Sequence, residues 1–292
     1  MSFGSTRVIE NLSFNVFPGE TFGFLGSNGS GKTTTIRALL GIYQATSGIL
    51  HVSGQPFSPD RNISLGYLPE ERGLYKKESV LDVMVYFGRL KGLSRVGAIE
   101  WSLSYLDRVG IARKANVRLD KLSSGEQQKI QLGITIMNDP VLLILDEPTK
   151  GFDPVNRRLL MEIIEEQRAA GTTVLMVTHQ MEEVERLCDR VILLKNGKAR
   201  AYGTISEIQD KFGSSFIVIE HTSEIPQSDK YKIRNSSDGK TELHANDGMP
   251  VGAILKELVE RGVEVNSFIE KKTSLDEIFI QIYGDEQMRD AG

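Results

Sequence analysis

Gly26-Ser27-Asn28-Gly29-Ser30-Gly31-Lys32-Thr33 constrains this chain more than any other stretch. It fits G-x-x-x-x-G-K-[ST] and joins a short apolar run, Glu20–Leu25, that reads as a strand to Lys32–Leu40, which reads as a helix. Glycines let successive backbone N–H groups turn inward around a phosphate, and the following helix adds its positive N-terminal end. Lys32 is then placed to neutralise terminal phosphate oxygens and the Thr33 hydroxyl to ligate Mg²⁺, with Thr34 continuing the loop into the helix. A chance match to such a pattern arises in roughly 1% of chains of this size, and the strand–loop–helix setting makes chance the weaker reading.

A second element follows. Leu142-Leu143-Ile144-Leu145 is a buried-strand run that ends in two adjacent carboxylates, Asp146 and Glu147. A carboxylate at the strand end can hold a metal directly or through water. The next one faces differently and can polarise an attacking water as general base. Alone the pair is as well read as an acidic turn after a core strand; beside the phosphate loop the catalytic reading prevails. Thr172–Val177 reads as a further buried strand, and Pro154 opens a helix running to about Ala170. Strand, helix, strand in this order predicts an α/β fold on a parallel sheet. Helical spacing of Val80, Val83, Phe87 and Leu90, and of Ile99, Leu103, Leu106 and Val109, predicts a helical block over about 76–137. Asn196-Gly197 between two apolar runs predicts a hairpin.

Composition narrows the class. The chain has 292 residues, with 35 basic and 39 acidic side chains, a balance that argues against nucleic acid as the main partner. One cysteine, Cys188, excludes an internal disulfide and reads as core. No run approaches the roughly 18 apolar residues that span a bilayer. Residues 1–204 carry 25 basic and 22 acidic groups, those from 205 onward 10 and 17, so a domain boundary is expected near Tyr202-Gly203-Thr204. The segment 205–292 reads as a small α/β unit, with strands at Phe216–Glu220 and Val263–Ile269 and helices at Val251–Arg261 and Ser274–Tyr283. His51, His221 and His244 have no ligand spacing.

Leu122-Ser123-Ser124-Gly125-Glu126-Gln127-Gln128-Lys129 then discriminates among the many enzymes that share such a loop. It resembles the LSGGQ signature of ABC-type ATPases, and it precedes the Asp146-Glu147 strand as in that family. Gly151-Phe152-Asp153 stands in the place of the D-loop and His179 follows the next strand. More narrowly, Gly66-Tyr67-Leu68-Pro69-Glu70-Glu71-Arg72-Gly73-Leu74-Tyr75 and Thr273-Ser274-Leu275-Asp276-Glu277-Ile278-Phe279 resemble the ATP-binding subunits of bacterial sodium-exporter-like systems, which carry a small C-terminal domain.

The resemblance implies a P-loop cassette over residues 1–204 with an accessory domain over 205–292. It implies ATP and Mg²⁺ as cofactors, a homodimer or a heterodimer with a related ATPase subunit, and separate membrane permease subunits. It also implies a peripheral place on the inner, cytoplasmic face of the cell membrane. Residue by residue, Phe3, beside Gly4, matches the aromatic that stacks on adenine. Ser123 and Gly125 match groups that reach the γ-phosphate held by the other subunit's Lys32 loop. His179 matches the switch residue, and Asp153 the D-loop carboxylate at the dimer interface. The strand that usually precedes Phe3 is missing, which implies either an upstream start or a trimmed sheet edge.

Two departures matter. Glu70 stands at the Q-loop glutamine, where it can still ligate a hard cation. Glu126 replaces the signature glutamine near the ribose and brings a carboxylate to a phosphate-rich place. These departures keep open a degenerate nucleotide-binding regulator, although Lys32, Thr33, Asp146, Glu147 and His179 favour catalysis. A non-transport ABC ATPase acting on ribosomes or DNA is a further alternative, disfavoured by the single cassette and the absence of sustained heptads.

Overall fold

A computed structural model describes residues 1–3, 6–56, 64–71 and 73–287, with the side chains of residues 2, 3, 6 and 285–287 outside the description. The chain divides into two compact units, Met1–Thr204 and a second that begins at Ile205.

In the first unit two short ribbons, β1 (Ser2–Phe3) with β2 (Thr6–Arg7) and β4 (His51–Val52) with β5 (Gln55–Pro56), accompany one large sheet. That sheet is built from β3 (Thr21–Gly26), β6 (Leu65–Leu68), β7 (Leu142–Asp146), β8 (Thr173–Val177), β9 (Arg190–Lys195) and β10 (Lys198–Thr204). Their order is β10-β9-β3-β8-β7-β6, parallel throughout except for β10, which returns antiparallel on β9. Central parallel strands are covered on both faces, so they read as unbroken apolar runs rather than alternating ones. Phe22, Phe24, Ile144, Leu175, Val177, Ile192 and Leu194 form the sheet's share of one core cluster, joined by Ile36 of α1 (Lys32–Leu39).

The helical block contains α2 (Val80–Leu90), α3 (Arg95–Arg108) and α4 (Ser124–Ile136), with two 3₁₀ turns between α3 and α4. Ser79 and Ser94 cap α2 and α3 by accepting from Asp82 N–H and Gly97 N–H. Tyr105 is the hinge pin of the α3–α4 contact. Its hydroxyl donates to Lys129 O at 2.7 Å, Trp101 stacks on its ring, and the ring lies flat against Gly133. A β-carbon at Gly133 would stand 2.7 Å from Tyr105 Cδ1. Gly133→Ala is therefore expected to destabilise the chain by about 1–3 kcal/mol through overpacking, read as a lower midpoint in urea; an unchanged midpoint would show that the ring yields freely.

Two helices complete this unit, α5 (Pro154–Ala169) and α6 (Met181–Leu187). Cys188 follows α6 directly, buried with Sγ 3.0 Å from the point where a β-carbon on Gly23 would lie; burial pushes its thiol pKa up.

The second unit has α7 (Ile205–Phe212), β11 (Ser215–His221), β12 (Tyr231–Ser237), β13 (Lys240–Ala245), α8 (Val251–Glu260), β14 (Val265–Lys272) and α9 (Leu275–Gln287). Its four strands are antiparallel in the order β12-β13-β11-β14. Ile217, Ile219, Tyr231 and Leu243 pack against Ile254 and Leu258 of α8. Here the sequence reading needs correction. The β12–β13 hairpin and α7 are additional to it, and the last strand begins at Val265 rather than Val263. Val263 instead closes α8: Gly262, with φ 81°, and Val263 donate to Val259 O and Leu258 O, a Schellman ending that turns Val263 into the core.

Candidate functional site

Because β3, β8, β7 and β6 run parallel side by side, their carboxyl ends share one edge, the place where open α/β sheets gather ligands. Each strand delivers a predicted residue there. From β3 comes the glycine-rich loop. Gly26 has no room for a side chain, since a β-carbon would meet Leu194 O at 2.7 Å, and Gly31 enters α1 at φ 105°. Lys32 is buried, and its ammonium donates to Gly26 O at 2.7 Å and Ser27 O at 3.0 Å, curling the loop around its own charge. Burial pushes the Lys32 pKa down, against the pull of Glu147, Asp146 and Glu70. Ser27, Asn28, Gly29 and Thr33 are exposed, Thr34 is half-buried, and Ser30 Oγ is buried without a partner among the described residues. The loop is held from outside as well. Asn196 and Gly197, at φ 49° and 73°, turn the β9–β10 hairpin so that Gly197 N–H donates to Ser30 O and Gly197 O accepts from Glu10 N–H.

From β7 come the two carboxylates. Asp146 is still in register with Val177 of β8 and is buried. Glu147 takes a left-handed φ of 49° while its N–H donates to Val177 O at 2.8 Å, so its side chain leaves in another direction. Burial first, then the neighbouring Glu70 and Glu147, push the Asp146 carboxyl up to about 6, only partly offset by Lys32 and Arg37. From β8 comes His179, whose Nδ1 stands 2.8 Å from Glu147 Oε1. Gln180 Nε2 lies 3.4 Å from His179 Nε2, so the amide can donate to Nε2 and leave the ring proton on Nδ1, facing the carboxylate. From the end of β6 comes Glu70, whose Oε1 accepts from Lys150 Nζ at 2.6 Å.

Glu183 underlies this edge. Nearly fully buried, its carboxylate lies beside Thr149, 3.5 Å from Thr178 Oγ1 and 3.6 Å from Arg157 Nε. Thr178 in turn accepts from Gln180 N–H. The turns carrying His179 and Lys150 therefore rest on one buried acid.

The signature residues lie at the start of α4. Ser123 and Glu126 form a reciprocal capping box, in which Ser123 Oγ accepts from Glu126 N–H and Glu126 Oε2 accepts from Ser123 N–H. Lys114 Nζ stands 2.6 Å from Glu126 Oε1, and this partner with the Ser123 N–H holds the Glu126 carboxyl below its usual range. The carboxylate expected at Glu126 is therefore paired with an ammonium. A β-carbon on Gly125 would touch the Phe152 ring at 3.5 Å, and Gln128 Nε2 reaches Pro148 O at 3.4 Å, so α4 leans on the loop after Glu147. Asp153 caps α5, accepting from Val155 and Asn156 N–H. The structure thus gathers Lys32, Asp146, Glu147, His179 and Glu70 at one edge, and sets Ser123, Gly125, Glu126 and Asp153 at helix starts. The Phe3 side chain, Gly4 and Arg72 lie outside the described residues. Nothing in the sequence marks Lys150 or Lys114 as partners of Glu70 and Glu126, and Glu183 reads only as an acid near a helix start.

The ABC transporter family profile matches residues 9–150, and that of the C-terminal domain of DrrA1-3-like ATP-binding proteins matches residues 203–283. YhaQ of Bacillus subtilis, an ABC transporter ATP-binding protein, is 35% identical over 97% of this chain and 96% of its own length. This chain belongs to the ABC transporter ATP-binding proteins. Nod factor export ATP-binding protein I of Paraburkholderia xenovorans is 33% identical over 98% of this chain and 95% of its own. Among solved structures, an ATP-binding subunit of an ABC transporter superposes with a TM-score of 0.66 at 28% identity, covering 72% of this chain and 89% of that one. This ABC transporter ATP-binding protein carries its cassette on an α/β scaffold with a parallel sheet.

Proposed function

We propose that this chain is the ATP-hydrolysing subunit of an exporter. Two cassettes, identical or related, close head to tail over ATP and so drive separate membrane permease subunits from the inner face of the membrane. The observation that carries the reading is the convergence of Lys32, Asp146, Glu70 and the Glu147–His179 pair on the carboxyl edge of one sheet. Relatives bearing the names Nod factor export ATP-binding protein I and Linearmycin resistance ATP-binding protein LnrL support the export direction. Among the described residues no helix is long and apolar enough to cross a membrane, in keeping with a permease on another chain.

The residues present fit a magnesium nucleotide. The loop's N–H groups and buried ammonium suit phosphate oxygens, and the unpartnered Ser30 Oγ stands in the same cradle. Mg²⁺ would be held by Thr33 and Asp146, with Glu70 within the same field. Among the described residues no cluster of three His, Cys, Asp or Glu side chains stands at ligating spacing, so phosphate and water oxygens would complete the shell. When bound, the ion would spread charge developing on the transferred phosphoryl group. Lys32 neutralises terminal phosphate oxygens. Glu147 orients the attacking water and takes its proton, while His179 Nδ1–H fixes that carboxylate. Ser123 and Gly125 complete the partner's site, with Glu126 and Asp153 beside them, and Phe3 stacks on adenine. The unit from 205 onward is an accessory domain that braces or regulates the dimer. Pairing of both departures, Glu70 with Lys150 and Glu126 with Lys114, supports catalysis over a degenerate regulator. Nucleic acid has no part in the reading.

Light scattering of the full chain tests the central step. With ATP and the Glu147→Gln substitution, the protein is expected to shift from monomer to dimer at micromolar concentration. A monomer at every concentration tried would overturn the reading.

A further inference from the structure

Glu70 and Lys150 are 80 positions apart, yet they meet because β6 and β7 are neighbours and both turns leave the same edge. Their contact is 2.6 Å long. Counting the groups that feel one another, Glu70, Asp146 and Glu147 all act on the buried Lys32, and the same three act on Lys150, Glu70 most strongly. One buried ammonium thus faces three carboxylates. A nucleoside triphosphate adds several negative charges to this edge, so an uncompensated carboxylate at Glu70 would oppose its entry.

We propose that Lys150 is a positioning residue that neutralises and holds Glu70, allowing a carboxylate at this place to coexist with a bound triphosphate. The proposal rests on the ATPase reading and deepens it. Lys150 acts here through Glu70, not by gripping the nucleotide. Both side chains are about half exposed, at 60% and 45%, so the pair can part and re-form without unfolding anything around it. That exposure also makes the device sensitive to salt, which weakens solvent-exposed ion pairs. Arginine at the same place would keep the charge and still offer donors to the carboxylate, as a planar fork in place of a compact ammonium.

A charge cycle read by equilibrium binding of a fluorescent ATP analogue with Mg²⁺, at low salt, tests this without relying on turnover. Lys150→Ala is expected to weaken binding by up to about fivefold, the upper range for an exposed ion pair. In the Glu70→Gln background the same substitution is expected to cost less than about twofold, because the charge it compensates is gone. Lys150→Arg is expected to keep affinity within about threefold. An equal loss in both backgrounds would mean that Lys150 acts on the nucleotide itself and would overturn the proposal, as would no loss in either. Absence of binding by the unsubstituted protein would instead overturn the ATPase reading.

Discussion

Glu147→Gln is expected to lower steady-state ATP hydrolysis by about 10²–10⁴-fold, the usual contribution of a positioned general base. Nucleotide affinity is expected to stay within about threefold, because the amide fills the same volume and the loop that grips phosphate is untouched. The geometry argues for a loss in turnover rather than in KM. Glu147 sits on a left-handed turn pinned to Val177 O, and its carboxylate is already oriented by His179. Glutamine keeps one oxygen for the His179 N–H but cannot take a proton from water. Phosphate release measured at saturating Mg·ATP, with binding measured separately, distinguishes the cases. Turnover within tenfold of the unsubstituted protein would move the base elsewhere.

Asp146→Asn is expected to act in two opposite directions. In the nucleotide-free protein the carboxyl is pushed up to about 6, chiefly by burial and by the acids beside it. Its folded pKa thus lies above that of the unfolded chain, near 4. The contribution to stability is fully present below about pH 4 and is lost as pH rises from there through about 6, leaving an ionised, buried carboxylate as a cost of roughly 2–3 kcal/mol at pH 7.5. Asparagine removes that cost. The variant's melting temperature is expected to exceed the parent's by several degrees at pH 7.5, and the gap is expected to halve near pH 5 and to close below about pH 4. With Mg·ATP in large excess the order reverses, since ligand stabilises only a chain that binds it, by about 4.1 kcal/mol at 1,000 times Kd. A variant that melts lower than the parent at pH 7.5 without nucleotide would show that Asp146 is stabilised as an anion.

The legible part of the molecule was the part written in local chemistry. The glycine loop, the apolar run into Asp146-Glu147, Pro154 at a helix start and Asn196-Gly197 in a hairpin each carry their instruction within a few residues. The accessory unit is less legible in its sequence. Strand β12 is a sheet edge whose residues Arg234–Ser237 are exposed, so it has little apolar alternation, and the turn signal Asp238-Gly239 had only a polar run before it. Partners separated by long stretches of chain were also out of reach. Nothing near Glu70 announces Lys150, nothing near Glu126 announces Lys114, and the buried Glu183 lies in what reads as the acidic first turn of a helix. Those contacts exist only once strands and helices have been placed side by side.

The tip at Asn196-Gly197 limits where this protein can be lengthened. Tight turns between outer strands ordinarily accept inserted peptides, tags and fluorophores with little harm. This one is pressed against Val8 and Ile9 on one side and bonded to Ser30 on the other. A reporter grafted there would pry open the phosphate cradle and mimic a catalytic lesion while the protein stayed folded. The turn at Ser53-Gly54, where a β-carbon on the glycine would meet nothing within 4 Å, is the roomier point of attachment.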